Sequence, residues 1–187
     1  SKSSESGGDA VMGVTGHSLS AAVAWAWGVS ESVVRVSDEP AYSVDAHLES
    51  ARDFTVEHGR RLMQGALQAA LGIQVVEETQ DLDVYVLKAS TVPGAPRPPL
   101  AEEDAYPGLM SWGHGRLSGN VPPAEAAQAL DGELGRPVVD ETGLTDRYSF
   151  DLEWKGGDEA DRSRVLAGVG LFLVPARRPV RLYRVLR

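Results

Sequence analysis

His17, His47, His58 and His114, with Asp45 and Glu49 close to the second and Glu57 beside the third, are the side chains best suited by type to hold a metal ion. A helical zinc site needs two ligands one turn apart, at i and i+4, so that both reach the ion from one face. None of these histidines is so paired, and no metal is expected. Cysteine is absent, which removes thiol nucleophiles, disulfides and cysteine-bound zinc or iron–sulfur centres. Asp151 and Glu153 stand at i, i+2 in "YSFDLEW", an interval that places both carboxylates on one face of a strand. Such a pair can do acid–base work, but the same spacing is also the ordinary solvated face of a sheet. The serines form no nucleophile elbow: in "TGHSLS" Ser18 precedes an apolar helical stripe, as a cap does, and "RLSGN" lacks the first glycine of G-x-S-x-G. No Walker loop or G-x-G-x-x-G follows a strand, so no nucleotide has a cradle and no cofactor is expected. No residue is assigned a catalytic role.

Binding residues are easier to nominate. Trp25 lies off the helical stripe that carries Trp27, so it must meet a second layer or a partner; Trp112 and Trp154 are the other tryptophans, and the three form a candidate interaction set. Arg177, Arg178, Arg181, Arg184 and Arg187 crowd the last stretch, "ARRPVRLYRVLR", of a chain whose net charge is −9. Charge on a terminal strand guards it against edge-to-edge pairing, and Arg177, Arg178, Arg181 and Arg184 are equally candidates for docking onto an acidic surface, including this chain's own.

The elements that must position these residues come in a repeated order. "AVMGVTGH" reads as a strand, Ser18 caps a helix stopped by Gly28, and "VVRVSDEP" and "AYSVDAHLE" are strands joined by a turn. Thr55 caps a second helix carrying Leu62, Met63, Ala66, Leu67 and Ala70 toward Gly72, and "IQVVEETQDLDVYVLKA" reads as a hairpin turning at Glu78 to Asp81. The second half repeats this: strand "GRLSGNV", a helix entered through Pro122 and Pro123 and stopped by Gly135, strands "RPVVDET" and "RYSFDLEW", a shorter helix, and a hairpin turning at Ala176 to Pro179. Gly16 aligns with Gly119, Tyr42–Asp45 with Tyr148–Asp151, Gly72 with Gly170 and Tyr85 with Tyr183. The reading is an α+β protein of two tandem β-α-β-β-α-β-β subdomains, each with two helices packed on small mixed sheets: a flexible leader over 1–10, the first subdomain over 11–89, a Pro/Gly-rich linker over 90–114 and the second subdomain over 115–187. The Asp-containing turns at Asp38 and Asp140 are read as joints, where Asp bonds a backbone amide two residues on.

The acidic balance opposes attraction to phosphate backbones, so nucleic acid is not an expected partner. No run approaches the roughly 20 apolar residues of a membrane-crossing helix. The stretch "LGRPVVDETGLTDRYSFDLEW", with "HGRRLMQGALQAALGIQVVEETQDLDVYVL" before it, resembles the Soli-usitatus family of secreted bacterial proteins, a family of unknown function. The chain departs from that family's signature at Glu141 and Asp146. The order of elements is also similar to the short N-terminal domain of secretins and TonB-dependent receptors. Together these resemblances imply an extracytoplasmic setting, periplasmic or at the cell surface, and a protein partner in an envelope complex, with the leader as a candidate tether. The expectation is a non-catalytic interaction or accessory module; a small-molecule or peptide sensor and a hydrolase with a dispersed site are the alternatives.

Overall fold

The fold is α+β, as the computed structural model shows; it describes residues 10–38, 43–50 and 55–187. The chain divides into two units, one of Ser1–Thr79 with Arg181–Arg187 and one of Gln80–Val180.

In the first unit β1 (Ala10–His17) pairs antiparallel with β3 (Val44–Ser50), with a register shift between Val14 and His17. Helix α1 (Leu19–Trp27) begins where the Ser18 side chain accepts from the Ala21 amide at 3.1 Å and ends at Gly28, whose φ of 68° is left-handed. That left-handed conformation is what favours glycine there; a Cβ would also meet the Arg60 guanidinium at 2.5 Å, a side-chain end that can shift aside. Leu19, Ala22, Val23, Ala24 and Ala26 are all buried, more than one stripe, which marks a helix covered on more than one side. Helix α2 (Val56–Leu71) is capped by Thr55, which accepts from the His58 amide at 3.2 Å. Its buried line is Gly59, Met63 and Leu67, one residue every four; Leu62, Ala66 and Ala70, expected on the same stripe, are exposed. On the other side of that row from Leu62 and Ala66, Gln64 donates to the Ala26 carbonyl at 3.0 Å. A short 3-10 turn leads into β2 (Val34–Val36), which runs parallel to the end of β9 (Leu171–Leu186), Val34 opposite Tyr183.

The second unit holds the larger part of β4 (Gln74–Ala89) and of β9. Each is one continuous strand of 16 residues, where the sequence reading placed a hairpin. The reason is local: a tight hairpin turn needs residues at positive φ, and none lies between Gly72 and Gly94 or beyond Gly170 among the described residues. Strand β7 (Val138–Asp140) runs parallel to β4 with Val138 opposite Tyr85, and the sheet order is β2-β9-β4-β7. Tyr85 and Tyr183, aligned in the sequence, thus each face the valine that opens a three-residue parallel strand. The alignment at Tyr42 falls outside the described residues.

A second sheet in this unit has the order β5-β6-β8, all antiparallel, from β5 (Gly108–Gly113), β6 (Arg116–Val121) and β8 (Tyr148–Glu153). Strand β5 lies inside the segment read from the sequence as a linker, and residues 90–114 belong to this unit. Helix α3 (Pro123–Leu134) packs on β5, β6 and β7, and helix α4 (Glu159–Gly168) on β8. Alternation is strict on β8: Tyr148, Phe150 and Leu152 are buried while Ser149, Asp151 and Glu153 face solvent. The inward set joins Leu117, Leu130, Leu166 and Leu171 in one core. Each fully buried leucine stabilises the folded chain by about 1.5–3 kcal/mol, so this layer fixes the sheet that carries the site described next.

Candidate functional site

The side chains chosen for chemistry do not converge. His17, His47, His58 and His114 are exposed, and no three metal-capable side chains cluster among the described residues. His47 is 3.0 Å from the Thr15 hydroxyl, and Asp45 accepts from the Gly16 amide at 2.6 Å, so this carboxylate holds a bend in β1. Of the side chain of Glu49 nothing is described. Asp151 and Glu153 lie on the outer face of β8, Asp151 82% exposed and 3.5 Å from Arg116. That is a solvated sheet face, with neither carboxylate in a cleft.

The polar groups that are well satisfied hold corners. Asp140 accepts from the Thr142 amide at 2.9 Å and Thr142 in turn from the Leu144 amide at 3.2 Å, which makes "DETGL" a turn closed by its own side chains. Asp131, 4% exposed on α3, accepts from the Val138 amide at 2.6 Å and so ties the helix to the start of β7. Glu133 accepts twice, from the Trp154 indole Nε1 at 2.8 Å and from the Gly115 amide at 2.9 Å. Trp154 also donates its backbone amide to the Gly115 carbonyl at 2.8 Å. Gly115 has φ 86° and a Cβ there would lie 2.2 Å from the Trp154 carbonyl oxygen, so only glycine closes this corner.

The three tryptophans nominated from sequence therefore separate. Trp154 is 5% exposed and locked, Trp25 is half-buried on α1, and Trp112 on β5 stands 58% exposed. The arginines separate as well. Arg178 donates from Nε to Glu141 at 2.6 Å, Arg181 lies 3.4 Å from Glu77 and Arg184 2.7 Å from Glu78, while Arg177 is exposed and pairs with no carboxylate among the described residues. Hydrogen bonding from Arg178, joined by its charge and that of Lys88, holds the Glu141 carboxyl below the usual carboxylate range and raises Arg178 in return. Three of the four arginines thus dock on this chain's own carboxylates.

Large apolar side chains also stand in solvent, among them Val92, Leu100, Phe172 and Val174, and a group on and just before β5. Met110 is 63% and Tyr106 76% exposed beside Trp112, and the register shift between Leu109 and Ser111 leaves Met110 out of step with β6. Sequence reasoning passed over Tyr106 and Met110 because the prolines and glycines around them hide a strand; the legible signal was "GLMSWG", an uncharged, proline-free run between two glycines. A separate cavity of about 280 Å³ is lined by Val36, Ser37, Asp38, Val185, Leu186 and Arg187, at the low end of the roughly 300–1,000 Å³ of ligand sites.

These placements define an α+β protein whose well-satisfied polar side chains serve corners and which exposes Met110 and Trp112 on an edge strand. Residues 20–183 match the family described as Protein of unknown function (DUF3738), and the chain belongs to that family. No curated protein and no solved structure matches it. Among the described residues no helix is long and apolar enough to cross a membrane.

Proposed function

We propose that the chain is a non-catalytic protein-interaction or accessory module of an envelope-associated assembly, working outside the cytoplasm. One observation carries the binding role: Met110 and Trp112 stand in solvent on one short edge strand, with Tyr106 exposed two residues before it. Exposed aromatic and methionine side chains of this kind are enriched where proteins bind one another. The extracytoplasmic setting is supported by the likeness of "GRPVVDETGLTDRYSFDLEW" to secreted Soli-usitatus proteins, and a partner in the envelope by the order of elements shared with secretin and TonB-receptor short domains. Of the candidate tether, residues 1–10, all but Ala10, which opens β1, lie outside the described residues.

The test is reciprocal affinity isolation from cross-linked envelope and cytoplasmic fractions of cells making the full protein. The expected result is one protein recovered from the envelope fraction in both directions. Recovery of the chain alone, or from the cytoplasmic fraction only, would end this reading.

A further inference from the structure

A sheet edge is a row of unpaired backbone amides and carbonyls. In the two-stranded sheet β1 and β3 pair only with each other, so each leaves a side open; in the four- and three-stranded sheets most open sides are protected. Strand β9 lies inside its sheet but is paired by β2 only over Tyr183–Val185, and the stretch before that carries Pro175 and Pro179, which lack the amide a new strand would need, and Arg177 and Arg178 between them. The outer side of β8 is covered by the chain itself: the Ser149 amide donates to the Pro99 carbonyl at 2.8 Å and the Ala101 amide to the Arg147 carbonyl at 3.0 Å. Strands β2 and β7 are three residues long, too short to template much. Strand β5 is different. It pairs with β6 on one side only, has no proline, no charge and no covering segment among the described residues, and shows Met110 and Trp112 to solvent.

Charge says what fits there. The turn that enters β5 carries Glu102, Glu103 and Asp104, all exposed and without an ion pair among the described residues. It is held at the Gly108 end of the strand, where Asn120, opposite Gly108 in register, donates to the Tyr106 carbonyl at 3.1 Å. A second copy would bring another chain of net charge −9 against the first, so self-association is disfavoured. We infer that β5 is a β-augmentation site for an extended segment of another protein, apolar over about six residues, added antiparallel, and followed by lysine or arginine that meets Glu102–Asp104. The inference rests on the interaction-module reading and names its surface and the chemistry of its partner.

Three synthetic peptides test it on the full protein: alternating valine and threonine followed by two lysines, the same with the lysines placed first, and the same followed by two glutamates. The lysine-last peptide should bind tightest, by about tenfold over the glutamate-ended one at low salt, with the margin shrinking as salt rises. On binding, backbone amide exchange should slow in residues 108–113 and nowhere else. Trp112→Lys should weaken binding by about tenfold or more, and the paired change Glu102→Gln with Glu103→Gln, outside the sheet, should remove the preference for lysine. Equal affinity for all three peptides, protection at Leu171–Val180 instead of β5, or a concentration-dependent dimer abolished by Trp112→Lys would each overturn the inference. If Trp112→Lys still recovers the same envelope protein as the unchanged chain, the module reading stands and this edge is not its contact.

Discussion

Trp112, on β5, and Trp154, the residue after the end of β8, use the same side chain in opposite ways. Trp154 is buried, with its indole N–H spent on Glu133 and its amide on Gly115; Trp112 is mostly in water, on the edge strand. The difference extends to the acidic residues. At the corners of this unit the carboxylates of Asp131, Glu133 and Asp140 each accept from backbone or indole N–H groups, which is what fixing a corner requires. In the turn that enters β5 the carboxylates of Glu102, Glu103 and Asp104 have no ion pair among the described residues. The lesson is that acidity in this chain is of two kinds, one consumed by geometry and one left for something outside the fold.

The strongest way to break that comparison is to remove each ring. Trp154→Ala should cost about 3–5 kcal/mol in chemical denaturation, the range for truncating a large buried aromatic, whereas Trp112→Ala should stay within about 0.5 kcal/mol of the unchanged chain. Equal losses would mean that Trp112 is a packing residue and that the edge is not free. Acrylamide quenching of single-tryptophan variants gives an independent reading, with Trp112 quenched readily and Trp154 protected.

Gly115→Ala probes the corner without touching either ring. It forces a Cβ onto a residue at φ 86° and into the Trp154 carbonyl, so a loss of at least about 2 kcal/mol is expected from strain and displacement together. Gly132→Ala, in α3 with nothing near its missing Cβ, is the control and should raise stability slightly. A silent Gly115→Ala would show that the corner yields. Glu133→Gln is milder: the amide still accepts from Trp154 Nε1 but cannot also accept from the Gly115 amide, and about 1–2 kcal/mol should go.

Much of this corner was legible, and the reasons are local. Ser18, Thr55, Gly28, Gly72 and Gly135 announced helix ends because caps and left-handed glycines obey short-range rules, and each stands where those rules put it. "RPVVDETGL" was readable as a joint for the same reason: Asp140 bonds two residues ahead. The hairpins were misread because apolar–polar–apolar runs broken by "EETQD" or "PARRP" look like turns by composition, while strand continuity depends on φ values and on pairing with strands distant in sequence. Strand β5 was missed because its partner, β6, is what makes it a strand, and the burial of Trp154 rests on Glu133, 21 residues away along the chain. Neither could be read from spacing.

The guarded edge offers the finest test, because there an acidic residue is consumed by an ion pair and not by the backbone. Glu141 takes a hydrogen bond from Arg178 and lies 3.7 Å from Lys88, which keeps its carboxyl pKa depressed in the folded chain. A depressed folded pKa means that the pair's contribution is present above the ordinary glutamate value of about 4.3 and disappears as pH falls through the lower, folded value. The melting temperatures of the unchanged protein and Glu141→Gln should therefore differ by a small, constant amount near neutral pH and converge in acid, with high salt narrowing the gap at neutral pH because the groups are exposed. The corresponding substitution at Glu103, which has no such partner, should show neither the gap nor the convergence, and a gap there of the same size and pH dependence would erase the distinction between the two kinds of acidity.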